Sequence, residues 1–289
     1  MFQQERPIYT LKCGDRTLEL GKRTLIMGVL NVTPDSFSDG GMFFSTDRAL
    51  EQAEQMVEAG ADIIDIGGES TRPFSEPVEE DEEKRRVIPI IEKLTTEVPI
   101  PISIDTCKSG VAREALAAGA TIINDVSALR FDPDLAKVAA ENNVPVILMH
   151  MLGTPKTMQQ KPHYDAVIAE IISFLQQRIE YATGQGIKRE QIVVDPGIGF
   201  GKTVQHNLQI LKHLSMFHAL NCPLLLGASR KTFIGAVLDK ENPLDREIGT
   251  GAVTCAAVLA GAHIIRVHDV YHNAEVAKMA DAILGADNN

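Results

Sequence analysis

Side chains able to bind a ligand or hold charge recur at one kind of position in this chain. Asn31, Glu69-Ser70-Thr71-Arg72, Asp105, Asn124, His150, Asp195, Ser229-Arg230-Lys231 and Arg266-Val267-His268 each stand at or just after the end of a short apolar run. Two carboxylates, Asp105 and Asp195, together with Asn124 could serve glycoside hydrolysis or a metal site if the fold brings them together. A third chemistry suits these residue types better. A carboxylate accepts paired hydrogen bonds from a guanidine-like edge, and an amide offers donor and acceptor at once, which matches a flat, nitrogen-rich heterocycle. Lys231, Arg266 and His268 add positive charge for an anion, a carbonyl or a ring nitrogen. Lysine and arginine at the end of a buried strand are costly unless paired or ligand-bound, so both read as functional. His150, taken alone, reads as a loop residue capping a helix.

Two other features mimic known chemistry. Asp195-Pro196-Gly197-Ile198-Gly199-Phe200-Gly201-Lys202-Thr203 looks like a phosphate loop, but Pro196 stands where the Walker pattern needs glycine. Lys202 likewise occupies the last glycine of GxGxxG. These glycines are expected to supply positive φ in a tight strand-to-helix turn that lets a flat ligand approach the backbone. Cys107 follows Asp105-Thr106 without a histidine placed to activate it, and reads as a packed thiol.

The elements that must position these residues are visible as a repeat. Short apolar runs occupy residues 25–30, 63–66, 100–104, 121–123, 144–149, 192–194, 224–226 and 264–267. Brief runs rich in β-branched residues are the mark of strands buried on both faces of a parallel sheet. Between them lie helical patterns such as 48–57, 111–118, 166–181 and 251–260, several ending at a glycine (Gly60, Gly119, Gly261) suited to a helix C-cap. Eight β-then-α units predict an α/β fold of the (β/α)₈ barrel type, with a doubly wound sheet as the alternative. Strand carboxyl ends face the active site of such a barrel, which is where the polar residues fall. Residues 8–20 alternate around Gly14-Asp15 and predict a small N-terminal β-hairpin. The acidic run from Glu79 to Glu83, ahead of Lys84-Arg85-Arg86, reads as a helix whose charges complement its dipole.

The chain has 289 residues, a length at which one barrel domain spanning 1–289 is ordinary. With 28 Lys and Arg against 39 Asp and Glu, the net charge is −11, which argues against nucleic acid or an anionic membrane as a partner. Four cysteines, none in a CxxC or metal-ligand spacing, predict neither a zinc site nor a disulfide framework, and reduced thiols suit a cytoplasmic protein. The N-terminus lacks the apolar core of a signal peptide, and no apolar run is long enough to span a bilayer.

At this point the motifs match a family. Gly28-Val29-Leu30-Asn31-Val32-Thr33-Pro34-Asp35-Ser36-Phe37-Ser38-Asp39-Gly40-Gly41 and Ala61-Asp62-Ile63-Ile64-Asp65-Ile66-Gly67-Gly68-Glu69-Ser70-Thr71-Arg72-Pro73 resemble the two signatures of the dihydropteroate synthase family. Ile104-Asp105-Thr106, Ile123-Asn124-Asp125-Val126, the Asp195 to Lys202 stretch, Gly227-Ala228-Ser229-Arg230-Lys231 and Arg266-Val267-His268-Asp269-Val270 extend the resemblance along the chain. Agreement of many segments in order is far more specific than one motif. The one departure is Phe74, directly after Pro73, where many relatives are expected to carry a small residue.

The resemblance implies a TIM barrel, usually dimeric, that joins 6-hydroxymethyl-7,8-dihydropterin diphosphate to 4-aminobenzoate and releases diphosphate with Mg²⁺. Carried over residue by residue, it implies that Asp105, Asn124, Asp195 and Lys231 hold the pterin, with Arg266 stacked on its face. It places Asn31 at the metal and diphosphate, and Thr71, Arg266 and His268 at the diphosphate. Ser70, Thr71, Arg72, Pro73, Ser229 and Lys231 would hold the aminobenzoate, and Lys231, Arg266 and Asp105 would be the catalytic residues. Sulfonamides, as aminobenzoate mimics, are the implied inhibitors. Two alternatives stay open on the residues: a pterin-binding methyltransferase acting on methyltetrahydrofolate, and a pterin-binding subunit without activity. The polar segments 33–41 and 70–77 are expected to be mobile without ligand and to order when diphosphate binds, giving ordered substrate addition.

Overall fold

In the computed structural model, which describes residues 6–32, 42–70 and 75–286 and only the backbone of 42–46, eight parallel strands form a barrel. The strands are β3 (Leu25–Asn31), β4 (Ile63–Gly67), β5 (Ile102–Asp105), β6 (Ile122–Asp125), β7 (Val146–Met149), β8 (Ile192–Asp195), β9 (Leu225–Leu226) and β10 (Ile264–Val267). They pair in the order β8-β7-β6-β5-β4-β3-β10-β9, and a parallel bridge between Val194 and Leu224 joins the two ends. That closure rules out the open doubly wound sheet.

Around the barrel run α1 (Met42–Glu58), α2 (Glu80–Glu97), α3 (Ser109–Ala117), α4 (Asp134–Asn142), α5 (Val167–Gly184), α6 (Val204–Lys212), α7 (Thr232–Leu238), α8 (Glu247–Leu259) and α9 (Val270–Leu284). Their inward stripes follow helical spacing: Ala49, Ala53 and Met56 on α1, and Val167, Ile171, Leu175, Ile179 and Ala182 on α5, are all buried. The expected glycine caps are present, with Gly60, Gly119 and Gly261 at φ +100°, +111° and +94°. A seven-residue 3₁₀ segment, Leu214–Leu220, leads into β9 and carries no clear periodic signal in the sequence.

The hairpin is also present. Strands β1 (Tyr9–Cys13) and β2 (Arg16–Leu20) pair antiparallel across Gly14-Asp15, with Gly14 at φ +60°. Its buried Leu11, Cys13 and Leu20 meet Leu25, Met27, Ile63, Ile122, Ile147, Val193, Leu225 and Ile264 inside the barrel. The amino ends of the strands are therefore plugged by an apolar lid, and any ligand must enter at the carboxyl ends.

Glu80, Asp81, Glu82 and Glu83 do form the first turn of α2, and Lys84 reaches Glu80 and Glu114 at 2.8 Å each. The run is not wholly solvated, however. Glu83 is buried and pairs with Lys108, which follows β5, because the first turn of α2 packs against Gly68 just after β4.

Candidate active site

Parallel pairing sets the predicted residues in a row. Asn31 pairs in register with Gly67, Gly67 with Asp105, and Asp105 with Asn124. Gly67 matters here because a Cβ on it would stand 3.6 Å from the Asp105 Cβ and 3.9 Å from the Asn31 Oδ1. Its missing side chain leaves the space between those two groups open.

From β10, which pairs beside β3 at the end of this row, Arg266 reaches over the barrel. Its Nε donates to Asp65 Oδ2 at 2.6 Å and its terminal nitrogen to Asp105 Oδ2 at 2.7 Å. Asn124 Nδ2 donates to the same Asp65 oxygen at 3.0 Å. Asp65 is thus the hub of the site, and the sequence reading passed over it. It is 0% exposed, and its second oxygen, Oδ1, has no hydrogen-bond partner among the described residues. The signal was available: a carboxylate in the middle of an Ile-Ile-Asp-Ile strand is expensive unless paired.

Asp195 ends β8 and is buried, with Oδ1 accepting from the Gly197 N–H at 2.7 Å. Burial pushes its carboxyl up to about 6, against that hydrogen bond and the charges of Lys231, Lys202 and Arg266. Burial also raises Asp105, which Arg266 opposes and Asp65 reinforces. Arg266 itself is pulled down by burial but held above its ordinary value by Asp65 and Asp105. Gly227 keeps a gap here, since a Cβ on it would stand 3.8 Å from both Arg266 Cδ and Asp195 Oδ2.

Lys231 is the N-cap residue of α7, and its Nζ lies 4.0 Å from the centroid of the Phe200 ring, a cation–π contact. The expectation for the glycine loop holds in one respect and fails in another. Gly197, Gly199 and Gly201 do sit at φ +70°, +85° and +66°. What approaches them is protein: added Cβ atoms would meet His150 O at 1.9 Å, Lys231 Cδ at 3.1 Å and Leu152 Cβ at 2.6 Å. The loop is folded onto the end of β7 and under Lys231. His150 caps no helix; it is buried, and its Nδ1 lies 2.9 Å from Lys202 Nζ. Cys107 packs beside Val126, Met149, Met151, Met158 and Phe200, as a packed thiol should.

Ser229 and His268 are brought together, with Nδ1 of His268 2.9 Å from Ser229 Oγ and the His268 N–H donating to the same hydroxyl at 3.2 Å. Ser70 lies at the rim, where its carbonyl accepts from Ser75 Oγ at 2.5 Å. The strand end before it is anchored: Lys108 pairs with Glu69 and Glu83, and Arg86 donates to Gly68 O at 2.8 Å. Thr71, Arg72, Pro73 and Phe74 lie outside the described residues, as does the segment 33–41.

Such a mouth, with carboxylates facing fixed cations across an amide, can hold a flat nitrogen heterocycle by its edge. Residues 27–268 match the pattern of the pterin binding enzymes. The chain is 50% identical to the dihydropteroate synthase of Synechocystis over 273 residues, covering 94% of each. It is 47% identical to that of Escherichia coli over 264 residues, 91% of this chain and 93% of the relative. The chain belongs to the dihydropteroate synthase family. Two solved members superpose closely: the Yersinia pestis enzyme in complex with a sulfonamide drug, at TM-score 0.90 and 45% identity, covers 95% of this chain and 98% of its own. The Xanthomonas albilineans dihydropteroate synthase with 4-aminobenzoic acid has TM-score 0.90 and 44% identity, covering 96% and 98%. As in other dihydropteroate synthases, the fold is a (β/α)₈ barrel, and the residues described here come from all eight strand ends.

Proposed function

We infer that this protein condenses 6-hydroxymethyl-7,8-dihydropterin diphosphate with 4-aminobenzoate, giving 7,8-dihydropteroate and diphosphate. The observation that carries the inference is the likeness to dihydropteroate synthases over nine-tenths of the chain, with the polar strand ends converging on one mouth.

Asp195 receives the amidine-like edge of the pterin, for which it must be ionised, and Asn124 and Asp105 take the neighbouring ring atoms. Asp65 and Asp105 hold Arg266 in place, so its planar cation lies ready beside the ring without a reorganisation cost at the moment of reaction. Lys231 contacts both pterin and aminobenzoate; Ser70, Thr71, Arg72, Pro73 and Ser229 complete the aminobenzoate pocket. Thr71, Arg266 and His268 hold the diphosphate. In the reaction, the C–O bond from the pterin methylene to diphosphate breaks and a C–N bond to the arylamine forms. The conjugated ring next to the methylene supports the positive charge that develops. An arylamine is a neutral nucleophile whose proton can leave after attack, so positioning and electrostatics suffice without a strong general base.

Mg²⁺ is part of the proposal. Among the described residues no group of three or more His, Cys, Asp or Glu forms a metal cluster. A lone amide such as Asn31 at the strand end fits a cation that keeps its waters and takes most of its ligands from substrate phosphates. Bound there, Mg²⁺ would neutralise charge on the leaving diphosphate.

The active species is a homodimer formed through the late helices. In support, α8 and α9 pack together and carry exposed Ile248 (89%), Tyr271 and Met279. Light scattering at micromolar concentration should give twice the chain mass; a clean monomer would remove the dimer. The same reading places the protein in the cytoplasm, supported by four cysteines that form no disulfide. Among the described residues no helix is long and apolar enough to cross a membrane.

Incubation with the pterin diphosphate, 4-aminobenzoate and Mg²⁺ should release diphosphate and dihydropteroate, and a sulfonamide should compete with 4-aminobenzoate. Methyl transfer from methyltetrahydrofolate with no dihydropteroate formed would establish the methyltransferase instead.

A further inference from the structure

The glycine loop after β8 binds no phosphate by its pattern, yet it ends in a lysine that is 3% exposed. Lys202 Nζ lies 2.8 Å from Gly197 O, 3.0 Å from Phe200 O and 2.9 Å from His150 Nδ1, with His150 O at 3.4 Å. An ammonium has three hydrogens, and three short partners take them. None of the partners is a carboxylate. Burial accordingly brings Lys202 down to about 7, with Asp195 opposing and Lys231 assisting. A buried cation without a contacting counter-ion is costly, and an apolar side chain would fill the same space more cheaply. What the lysine does with its hydrogens therefore needs a reason.

The reason lies in what the two captured carbonyls belong to. Gly197 also supplies the N–H that Asp195 accepts, and Phe200 carries the ring against which Lys231 Nζ rests at 4.0 Å. The rest of the loop is tied from other elements: Gly199 donates to Asn207 Oδ1 at 2.8 Å and accepts from Gln159 Nε2 at 2.6 Å, and Gly201 O accepts from Tyr164 at 2.9 Å. Gly197 O also accepts from the Phe200 N–H at 3.1 Å, and among the described residues Lys202 is the one side chain that binds both carbonyls of that turn. We propose that Lys202 is a positioning residue of the synthase reaction, holding the glycine loop so that Asp195 and the Phe200–Lys231 pair stand where the pterin edge and the aminobenzoate meet.

Its charge has a second effect. Asp195 faces Lys231 from the loop after β9, Arg266 on β10 and Lys202 from its own loop, besides the Gly197 N–H. Removing Lys202 takes away one of the three cations that keep the carboxylate ionised, so Asp195 would protonate at higher pH. A purely structural lysine would move stability without moving that titration.

The test uses the full chain with Lys202→Met and Lys202→Gln. Because Lys202 is assigned within the dihydropteroate synthase reaction, parent-chain turnover tests that reaction by itself, and the variant-to-parent ratios test the lysine. Lys202→Met should melt at or above the parent temperature, since a burial cost is relieved. It should raise the KM for 4-aminobenzoate about tenfold with a smaller fall in kcat, the scale of one or two lost hydrogen bonds. Calorimetric binding of 6-hydroxymethylpterin between pH 5 and 8 should show its acid-side midpoint moved to higher pH. Lys202→Gln, which keeps donors and drops the charge, should recover part of the KM and none of the midpoint. Parent-like KM and midpoint in Lys202→Met would overturn the assignment. So would failure of both variants to fold, which would make Lys202 a support of the barrel and not of the loop.

Discussion

The two ends of this barrel are built from the same strands and solve opposite problems. At the amino end, the hairpin presses Leu11, Cys13 and Leu20 onto Met27, Ile63, Ile122 and Ile264, and the space is filled with hydrocarbon. At the carboxyl end, Asp65, Asp105, Asp195, Arg266 and Lys202 are drawn together with their charges buried or nearly so. Burial of the first kind stabilises at roughly 25 cal/mol per Å², whereas burial of the second costs free energy unless each charge is answered by another group. Among the described residues no group answers Oδ1 of Asp65 at the mouth. One end therefore holds the fold while the other stores groups ready for a ligand.

Titration separates the two ends as well. Asp195 has its carboxyl raised to about 6 by burial first of all. A raised group stabilises the folded state below its unfolded value and loses that contribution as pH rises through about 6. At the amino end, burial brings His263 down to about 4, its Nδ1 accepting from the Leu224 N–H at 3.0 Å and its Nε2 3.0 Å from Pro7 O. A lowered histidine contributes stability above about 6.5 and loses it as pH falls toward 4. The mouth is thus relieved by acid and the base is harmed by it.

The sharpest break in this comparison is Asp195→Ala. Loss of a charged partner from buried donors costs about 2 to 5 kcal/mol, so calorimetry should find most pterin affinity gone. The melting temperature should hold, and near-native affinity would remove Asp195 from the pterin edge. Next, Lys231→Met should lower turnover about 100-fold, the scale for removing one fixed group that stabilises transition-state charge. Turnover within a few-fold of the parent would take Lys231 out of the mechanism.

At the other end, Leu20→Ala in the plug should cost about 2 to 5 kcal/mol in denaturant unfolding with KM and kcat retained. A change in KM larger than the change in stability would show that the ends are coupled. On pH, pterin affinity of the parent should decline below about pH 6 as Asp195 takes up a proton, and a flat profile from pH 5 to 8 would contradict an ionised Asp195 in the complex. The smallest effect is expected from His263→Gln, whose ring faces Tyr9, His218 and Arg6. It should flatten the loss of melting temperature between pH 6.5 and 4, and an unchanged slope would place the acid sensitivity elsewhere.

Most of the scaffold is legible in the sequence. Strands such as β10, Ile264–Val267, and helices such as α5 follow from apolar runs and helical spacing, which are local signals carried by neighbouring residues. Boundaries moved by a few residues: α1 begins at Met42 where periodicity begins at Arg48, and β5 begins at Ile102 because Pro101 cannot donate to the ladder. The polar strand ends were legible too, because any parallel barrel presents them at one rim.

What the sequence by itself determined is the kind of barrel and the identity of the groups at its mouth. What only the tertiary structure decided is who partners whom. Arg266 finds Asp65, 201 residues away, and Glu83 turns inward to Lys108 from a run read only as complementing its helix dipole. Lys202, which breaks the glycine pattern of its loop, turns down to His150 and the loop carbonyls. Apolar periodicity follows from the backbone's own repeat and so can be read along the chain. A buried charge chooses its partner by distance and desolvation after the barrel has closed, and the order of residues records neither.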